Sequence, residues 1–464
     1  MENRREFLRK SLFGGIALGT AGSVAGLTQS CAGSATENAQ PQRVRKGKSV
    51  MGLRCDPIPE VRVACIGVSR GHTHLTSIAN IEGAKVSVIC DLLPEKIASA
   101  QKTLKDAGQP EAVVYSGEED WKKICERDDI DLIINSTPWE LHVPIALYAM
   151  QHGKHVAIEV PAALSLEDCW ALVDTAEQTQ RHCMMLENCC YDFFELTTLN
   201  MARKGLFGEI YHGEGAYIHD LRSLKHHGYY KMWRLEHSKK HNGDPYPTHG
   251  LGPVAQIMNI NRGDRFDYLT SMSTNQYGLS LYAEDAFGKD SPEAKATYKL
   301  GVMNKTLIRT VNGHTLLVVH DTTSPRPYDR IHKISGTKGY AVKYPEEKIA
   351  LEPHAHGFLN PEEFKAIMAQ YEHPLSKYIG EKAKAVGGHG GMDFIMAWRL
   401  IYCLREGLPL DQDVYDAAAW SCITELSETS LNNRSNSVDV PDFTYGDWKN
   451  AKPWSVIDME TVFC

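Results

Sequence analysis

The fold of this chain is set by the stretch Val61–Gly71, VRVACIGVSRG. The apolar run that ends at Gly67 predicts a short buried strand, and the glycines predict a tight turn into a helix that begins near His74. A second apolar run, Lys85–Cys90, predicts the next strand and ends at Asp91. A strand–turn–helix–strand unit of this kind predicts the start of a parallel α/β sheet.

The same alternation continues to residue 188. Asp131–Ser136 and His155–Val160 are continuous apolar runs, typical of strands that helices cover on both faces. Each run is followed by a segment with apolar residues at helical spacing, and Ser165 begins the second such segment with a capping-box-like pattern. Residues 61–188 are therefore predicted to form a doubly wound, Rossmann-type parallel sheet, which makes the fold class α/β.

The composition changes after residue 205. Gly, Tyr, His and Asn are dense through residues 211–263, and β-rich segments follow up to residue 335. Helical periodicity returns over residues 391–432, which we expect to pack near the Rossmann-type domain. We predict a second, α+β domain with a large open sheet over residues 189–448 and a C-terminal tail over 449–464.

The composition also excludes several kinds of partner. The 464 residues carry 50 basic and 58 acidic side chains, a formal net charge of −8. This mild acidity argues against nucleic acid or an anionic membrane surface, because either needs a concentrated basic face. No apolar run has the length expected of a multi-span membrane protein. Twelve cysteines are scattered without a C-x-x-C pair, so we expect free thiols and neither a disulfide framework nor a metal site.

The first thirty residues resemble a bacterial twin-arginine export signal. Arg4-Arg5-Glu6-Phe7-Leu8 precedes a short Gly- and Ala-rich apolar run that ends at Leu27. The alternative is a basic arm followed by a helix of the mature fold. Cys31 follows a loose lipoprotein-type cleavage box, which leaves a lipid anchor and soluble release as alternatives. Residues 31–60 are predicted to be a tether, and the location is predicted to be periplasmic or membrane-anchored.

The glycine turn between the first two strands also predicts a dinucleotide site. Backbone N–H groups at the helix N-terminus receive the pyrophosphate, and glycine allows its close approach. Asp91 is placed to accept hydrogen bonds from ribose hydroxyls and repels a 2′-phosphate, which favours NAD over NADP. The turn itself, Gly67-x-x-x-Gly71, lacks the full G-x-G-x-x-G pattern.

Two further motifs resemble the Gfo/Idh/MocA oxidoreductase family. They are Thr137-Pro138 with His142, and Glu159-Val160-Pro161, at the ends of two predicted strands. In that family these elements surround the nicotinamide, and the second contains a lysine that exchanges a proton with the substrate hydroxyl. Val160 stands at the position of this lysine and cannot exchange a proton, which argues against ordinary dehydrogenase chemistry.

Other segments resemble one branch of that superfamily, the NAD-dependent α-N-acetylgalactosaminidases of glycoside hydrolase family 109. The resemblance covers roughly residues 60–448 and is carried by STPWELH (136–142), EV (159–160), LENCCY (186–191), HGEGAYIHD (212–220), WR (233–234), YPTHGLGP (246–253), RPY (326–328) and GGHGGMD (387–393). It implies NAD contacts at Ser69, Arg70, Asp91, Trp139, Glu140, Leu141, His142, Glu159, Val160 and Asn188. It implies sugar contacts at Tyr217, Arg234, Tyr246, Pro247, Thr248, His249 and Tyr328.

The activity that this branch implies is hydrolysis of terminal α-linked N-acetylgalactosamine with no net redox change, an exception to the usual two-carboxylate glycosidases. NAD oxidises C3 of the sugar, a base removes the acidified C2 proton, the aglycone leaves, water adds, and the hydride returns. We expect His249 as a base, Tyr217 and Tyr328 as hydroxyl partners, and Arg234 as a ligand of the sugar. Which His or Tyr removes the C2 proton stays open. Tightly bound NAD also suits the export of a folded protein.

Two other functions stay open. One is an NAD-dependent sugar dehydrogenase of the Gfo/Idh/MocA type, against which Val160 counts. The other is a sugar-binding lipoprotein that keeps the fold without catalysis. The exact sugar, the aglycone and the oligomeric state are not readable from the sequence, although the second domain's sheet could serve as a homodimer face.

Overall fold

The computed structural model describes residues 43–353 and 356–453, and from Arg45 onward these form one compact unit. The predicted export signal and Cys31 lie outside the described residues, as do residues 31–42 of the predicted tether and 454–464 of the predicted tail. Within the described part of the chain, no helix is both long enough and apolar enough to cross a bilayer.

The first domain is built on a six-stranded sheet in which every neighbouring pair is parallel. Its strands are β1 (Val61–Ile66), β2 (Ala84–Cys90), β3 (Val113–Tyr115), β4 (Leu132–Asn135), β5 (His155–Ile158) and β6 (Cys183–Met185). Their order, β3-β2-β1-β4-β5-β6, is that of doubly wound dinucleotide-binding sheets and confirms the predicted fold class. The order reverses between β1 and β4, which places a ligand crevice at their carboxyl ends.

Five helices connect these strands and cover the sheet. They are α1 (His72–Ala79), α2 (Pro94–Asp106), α3 (Asp120–Cys125), α4 (His142–Gln151) and α5 (Leu166–Thr179). Every residue of β4 and β5 is buried, as their continuous apolar runs predict. The Ser165 hydroxyl accepts a hydrogen bond from the Asp168 amide and caps α5.

The second domain has an eight-stranded mixed sheet, which confirms the predicted large open sheet. Its order is β13-β12-β11-β7-β10-β9-β8-β14; β7 and β10 are parallel and the other pairs are antiparallel. The strands are β7 (Ile210–Ile218), β8 (Phe266–Ser273), β9 (Asn304–Thr310), β10 (Thr315–Asp321), β11 (Lys333–Gly336), β12 (Gly339–Val342), β13 (Lys348–Leu351) and β14 (Val438–Asp439).

The helices of this domain bring the two sheets together. They are α6 (Phe193–Arg203), α7 (Arg222–His227), α8 (Trp233–Lys240), α9 (Thr248–Ile257), α10 (Gly278–Phe287), α11 (Pro292–Lys295), α12 (Pro361–Gln370), α13 (Pro374–Val386), α14 (Met392–Arg405), α15 (Val414–Ser421) and α16 (Ile423–Asn432). Helix α14 packs on α1 and α15 packs on α5, so this helical region lies against the first domain. Helix α9 lies on β7, where a Cβ on Gly215 would stand 2.0 Å from the Gly250 carbonyl oxygen.

The structure shortens the predicted tether. Residues 45–60 pack on the body of the protein: Arg45 Nε lies 3.1 Å from Glu177 Oε1, and Val50 is buried. The Ile58 amide also donates to the Leu404 carbonyl at 3.1 Å. The prediction of a free tether is therefore wrong over residues 45–60, because their side chains and amides find partners far away in the sequence.

Ten cysteines lie among the described residues, and all ten are free thiols. Nine of them are buried, and the tenth, Cys55, is half-buried. Burial in apolar surroundings raises the pKa of Cys65 and of Cys183 to about 12, so both stay protonated and unreactive.

Candidate active site

The turn after β1 forms a cradle, and at two of its positions only glycine fits. Gly67 has a φ of +81°, and a Cβ there would lie 2.6 Å from the Ser136 carbonyl oxygen. A Cβ on Gly71 would lie 2.1 Å from the Gly67 carbonyl oxygen. The Asp91 carboxylate accepts the Val68 amide at 2.8 Å and so ties the end of β2 to this turn.

The cradle fits a dinucleotide. It lies at the reversal of strand order, where such ligands bind, and it opens onto the N-terminus of α1. The Ser136 hydroxyl is buried there without a hydrogen-bond partner, and the Ser69 side chain is exposed. The Arg70 side chain is partly exposed at the same place. Ser69, Arg70 and Asp91, three predicted NAD contacts, therefore line one crevice.

The loop after β4 carries the next group of predicted NAD contacts, Trp139, Glu140, Leu141 and His142. Trp139 is buried and its Nε1 donates to the Val160 carbonyl at 3.2 Å, whereas Glu140 is exposed. The two ring nitrogens of His142 lie 2.9 Å from the carbonyl oxygens of Pro161 and Thr137. The His142 ring therefore joins the loops after β4 and β5, and its place as a cofactor contact stays a prediction.

Glu159 is a buried anionic group at the end of β5. Its Oε1 lies 3.0 Å from Arg70 Nε and 2.7 Å from His74 Nε2, and its Oε2 accepts the Val160 amide at 3.1 Å. Burial alone would raise the pKa of Glu159, but Arg70 and His74 outweigh burial and hold it well below the usual range. Val160 is buried and offers no exchangeable proton.

The predicted sugar contacts come together beside this crevice. The ring centre of Tyr217, on β7, lies 4.5 Å from that of Tyr246, 5.3 Å from that of His249 and 6.3 Å from that of Tyr328. Pro247 and Thr248 are buried between Tyr246 and His249 and shape the same wall. Residues from β7, α9 and the loop after β10 thus meet in one pocket wall, as expected from the sequence motifs.

Arg234 is enclosed by aromatic rings. Its guanidinium carbon lies 4.7–5.0 Å from the ring centres of Tyr229, Tyr246, Trp139 and Trp233. Burial alone would lower the pKa of Arg234, but the neighbouring tyrosines, Tyr229 first, outweigh it and raise the pKa. The charge is thus retained and stabilised by cation–π contacts. Trp139 touches both this cage and the Val160 loop, and so connects the sugar and cofactor sites.

Glu187 is a site residue that the sequence analysis missed. Its carboxylate oxygens lie 2.8 and 3.0 Å from His249 Nδ1. Burial alone would raise the pKa of Glu187, but the facing His249 outweighs it and lowers that pKa. The carboxylate accepts a hydrogen bond from Nδ1 and so orients the His249 ring, with Nε2 on the side of the ring away from Glu187. The sequence does contain a signal for Glu187: it is an acidic residue just after β6 and next to the predicted NAD contact Asn188.

The same place has the spacing of a metal site, since ligand atoms of Glu187, Cys189 and His249 lie within 4.8 Å of one another. However, Arg330 Nη1 lies 3.1 Å from Cys189 Sγ, and burial raises the pKa of this thiol well above its usual value. The Arg330 charge beside Sγ opposes a cation at this position, and His249 Nδ1 is already hydrogen-bonded to Glu187. We therefore assign the group to the Glu187–His249 pair and not to a metal.

Lys225 of α7 is a buried cation behind this wall. Its Nζ donates to the Ser238 hydroxyl at 2.9 Å. Burial and the neighbouring Arg234 lower the pKa of Lys225 to about 7, and His237 and His320 add further basic groups nearby. A lysine in the unfolded chain has a pKa of about 10.4. The free energy of unfolding should therefore rise as the pH increases from about 7 to about 10.4, and Lys225 should destabilise the fold most below about pH 7.

Replacing Lys225 with methionine should therefore stabilise the fold by about 1–4 kcal/mol at pH 7. The gain should shrink as the pH rises towards 9.5, because the unfolded wild-type lysine then approaches its own pKa of about 10.4 and less free energy is needed to bury it without its proton. Urea unfolding of both proteins at several pH values measures this difference. Lys204→Met, at an exposed lysine, is the control and should change little. A gain for Lys225→Met that does not depend on pH would contradict the explanation.

Two family models match the chain. Residues 61–187 match an oxidoreductase family with an NAD-binding Rossmann fold, and residues 191–450 match the C-terminal domain of glycosyl hydrolase 109. Over 408 residues the chain is 53% identical to the alpha-N-acetylgalactosaminidase of Bacteroides fragilis, covering 87% of this chain and 96% of that protein. A glycosyl hydrolase family 109 protein of Shewanella amazonensis is 48% identical over 98% of this chain and 99% of its own length.

Solved structures share the architecture. A levoglucosan dehydrogenase in complex with NADH and L-sorbose matches with a TM-score of 0.63 at 21% identity, over 83% of this chain and 100% of that one. Apo scyllo-inositol dehydrogenase from Lactobacillus casei matches with a TM-score of 0.58 at 15% identity, over 83% and 99%. At these identities the two structures show a common fold and nothing about a common substrate.

Proposed function

Since the chain belongs to glycosyl hydrolase family 109, we propose that it is an NAD-dependent glycosidase that releases terminal α-linked N-acetylgalactosamine from glycans. One observation supports this most: His249, paired with the buried Glu187, faces Tyr217 beside a crevice that fits NAD. This arrangement supports a proton acceptor beside the crevice in which NAD would bind.

NAD is the cofactor, and when bound it supplies a hydride acceptor at the sugar. Ser69, Arg70 and Asp91 would hold its phosphates and ribose, and Asn188, which donates to Asp393, would be a further contact. The chain's own residues move the protons. His249 Nε2 is the acceptor that we propose for the C2 proton, because burial raises the pKa of Tyr217 to about 12 and so leaves little phenolate to accept a proton at neutral pH.

The remaining residues hold and orient the sugar. The Tyr217 and Tyr328 hydroxyls stay protonated, since burial raises the pKa of both, and so they can donate to sugar oxygens. Arg234 keeps its charge inside the aromatic cage and offers its guanidinium to ring hydroxyl or acylamino oxygens. Tyr328 is 38% exposed and lies at the open side of the wall.

The states of Glu159 and Glu187 argue against these two residues as the acid and nucleophile of an ordinary two-carboxylate hydrolase. That chemistry needs one carboxylic acid with a raised pKa and one free carboxylate. Glu159 and Glu187 are both buried, paired with basic groups and held at lowered pKa. Neither can serve as the protonated acid at neutral pH. The site therefore favours proton removal by His249 in a redox-neutral cycle.

The proposed function predicts release of the aglycone from a chromogenic α-N-acetylgalactosaminide by purified protein with no added NAD. Absorbance at the NADH band, followed in parallel, should show no net accumulation, because the cofactor is regenerated in each turnover. The chromogenic β-anomer is the matched control substrate. NADH accumulation with added NAD, but without aglycone release, would instead indicate a sugar dehydrogenase. A lack of both signals with sugar binding retained would indicate a binding protein.

We also propose export by the twin-arginine-type signal, with a periplasmic or membrane-anchored location and Cys31 as the site of a lipid anchor. The sequence pattern of residues 1–31 supports this, and folded export would carry bound NAD along. The mass of the N-terminal peptide of the mature protein tests both claims.

We also propose a homodimer that forms through the open sheet of the second domain. The exposed apolar residues Tyr268, Met272 and Leu307 support it, and sedimentation tests it.

A further inference from the structure

Asp393 is a fully buried carboxylate at the start of α14, between the two domains. Its Oδ1 accepts Asn188 Nδ2 at 2.6 Å and lies 3.5 Å from Arg70 Nη2. Its Oδ2 lies 2.6 Å from His389 Nδ1. Arg70 and Asn188 belong to separate segments of the chain, and both are predicted NAD contacts. Asp393 is therefore the one group that bonds to both of them among the hydrogen bonds described.

The loop before Asp393 is shaped to bring this carboxylate to the cofactor crevice. Gly387, Gly388, Gly390 and Gly391 all have positive φ, a conformation that favours glycine. A Cβ on Gly388 would lie 2.9 Å from Asp393 Cβ and 3.1 Å from Thr73 Cγ2 on α1. The loop thus lies directly on the first turn of α1, at the helix end where a pyrophosphate binds.

The charges around Asp393 keep it ionised. Burial alone would raise its pKa, but the His389 hydrogen bond and the Arg70 charge outweigh burial and lower the pKa to about 2. Arg70 also pairs with Glu159 at 3.0 Å, so its guanidinium is held between two buried carboxylates. These two carboxylates restrict the long, partly exposed Arg70 side chain to one orientation. On the outer side, His389 is 53% exposed and closes the network.

We infer that Asp393 is a positioning residue for the cofactor: it holds Arg70 and Asn188 at the NAD crevice and ties them to the second domain, so that bound NAD is retained between turnovers. The proton transfers proposed above do not use Asp393. The inference concerns the NAD site and holds whatever sugar the protein acts on. It supplies a physical reason why a redox-neutral cycle can run without a free NAD pool.

Asp393→Asn in the full chain tests this inference. The change removes the charge but keeps the size, and the new side-chain oxygen can still accept from Asn188. NAD bound after gel filtration is measured by acid extraction and chromatography, and its dissociation rate by competition with labelled NAD. We expect dissociation to be about tenfold faster or more, because charge-assisted hydrogen bonds to Arg70 and His389 are lost. Activity measured at saturating NAD should recover in part.

Asp411→Asn is the matched control. Asp411 is likewise buried and pairs with Arg399 at 2.9 Å, and among the described hydrogen bonds it bonds to neither Arg70 nor Asn188. This variant should lose thermal stability to a similar degree and retain NAD like the wild type. Equal loss of NAD in both variants would show that retention follows overall stability, and wild-type retention in Asp393→Asn would overturn the inference. If Asp393→Asn does not fold, His389→Gln at the half-exposed position replaces it: faster NAD release supports the inference, and an unchanged rate overturns it.

Discussion

Replacing His249 with asparagine should lower kcat for α-N-acetylgalactosaminide cleavage by about 10²–10⁴-fold, the usual contribution of a positioned general base. The asparagine amide can still donate to Glu187 in place of Nδ1, which lies 2.8 Å away. It offers no counterpart of Nε2, so the proton acceptor is lost while the wall keeps its shape. KM and the amount of bound NAD should change little, because neither depends on that nitrogen.

Exchange of the sugar C2 proton with deuterium, followed by NMR, measures the same step directly. Exchange should fall together with kcat in His249→Asn. Glu187→Gln is the informative partner variant, since it keeps the volume but removes the charge that fixes the imidazole tautomer; we expect an intermediate loss of about 10–100-fold. If His249→Asn keeps both kcat and C2 exchange within a few-fold of wild type, the base is another residue, with Tyr217 the next candidate.

Replacing Gly67 with alanine should abolish NAD retention and, with it, activity without added cofactor. The new Cβ would lie 2.6 Å from the Ser136 carbonyl oxygen, and the residue would keep a φ of +81°. Backbone atoms cannot yield as a flexible side chain can, so β1 and β4 must separate where the cradle is formed. The left-handed conformation adds about 1–2 kcal/mol for a residue with a Cβ. NAD content of the purified variant, measured after acid extraction, is the readout.

Gly108→Ala separates the collision from the backbone strain. Gly108 has a similar φ, +75°, but a Cβ there meets nothing within 4 Å. This control should lose a little thermal stability and keep its NAD. If Gly67→Ala retains NAD as well as Gly108→Ala does, the cradle does not hold the cofactor in the way we describe.

The sequence by itself determined the fold class and the broad location of the site. Continuous apolar runs such as Asp131–Ser136, alternating with helical periodicity, predict a parallel sheet, because only strands covered on both faces are apolar throughout. The Gly67 turn and Asp91 predicted the dinucleotide crevice from local geometry alone. Motifs around Tyr217 and His249 resembled one family closely enough to predict its substrate wall. These features depend on neighbouring residues, and so they are visible in the linear chain.

The tertiary structure alone decided which partner each buried group has. Glu187 pairs with His249 across 62 positions, and Asp393 bonds to Asn188 across 205 and to Arg70 across 323. Both ring nitrogens of His142 lie 2.9 Å from backbone carbonyl oxygens, those of Pro161 and Thr137, which no spacing rule predicts. Such pairings arise when the two domains pack against each other. A buried polar group needs a hydrogen-bond partner, and here the partner is a residue far away in the sequence. Local sequence patterns specify the elements, whereas the protonation states of the site arise from their packing.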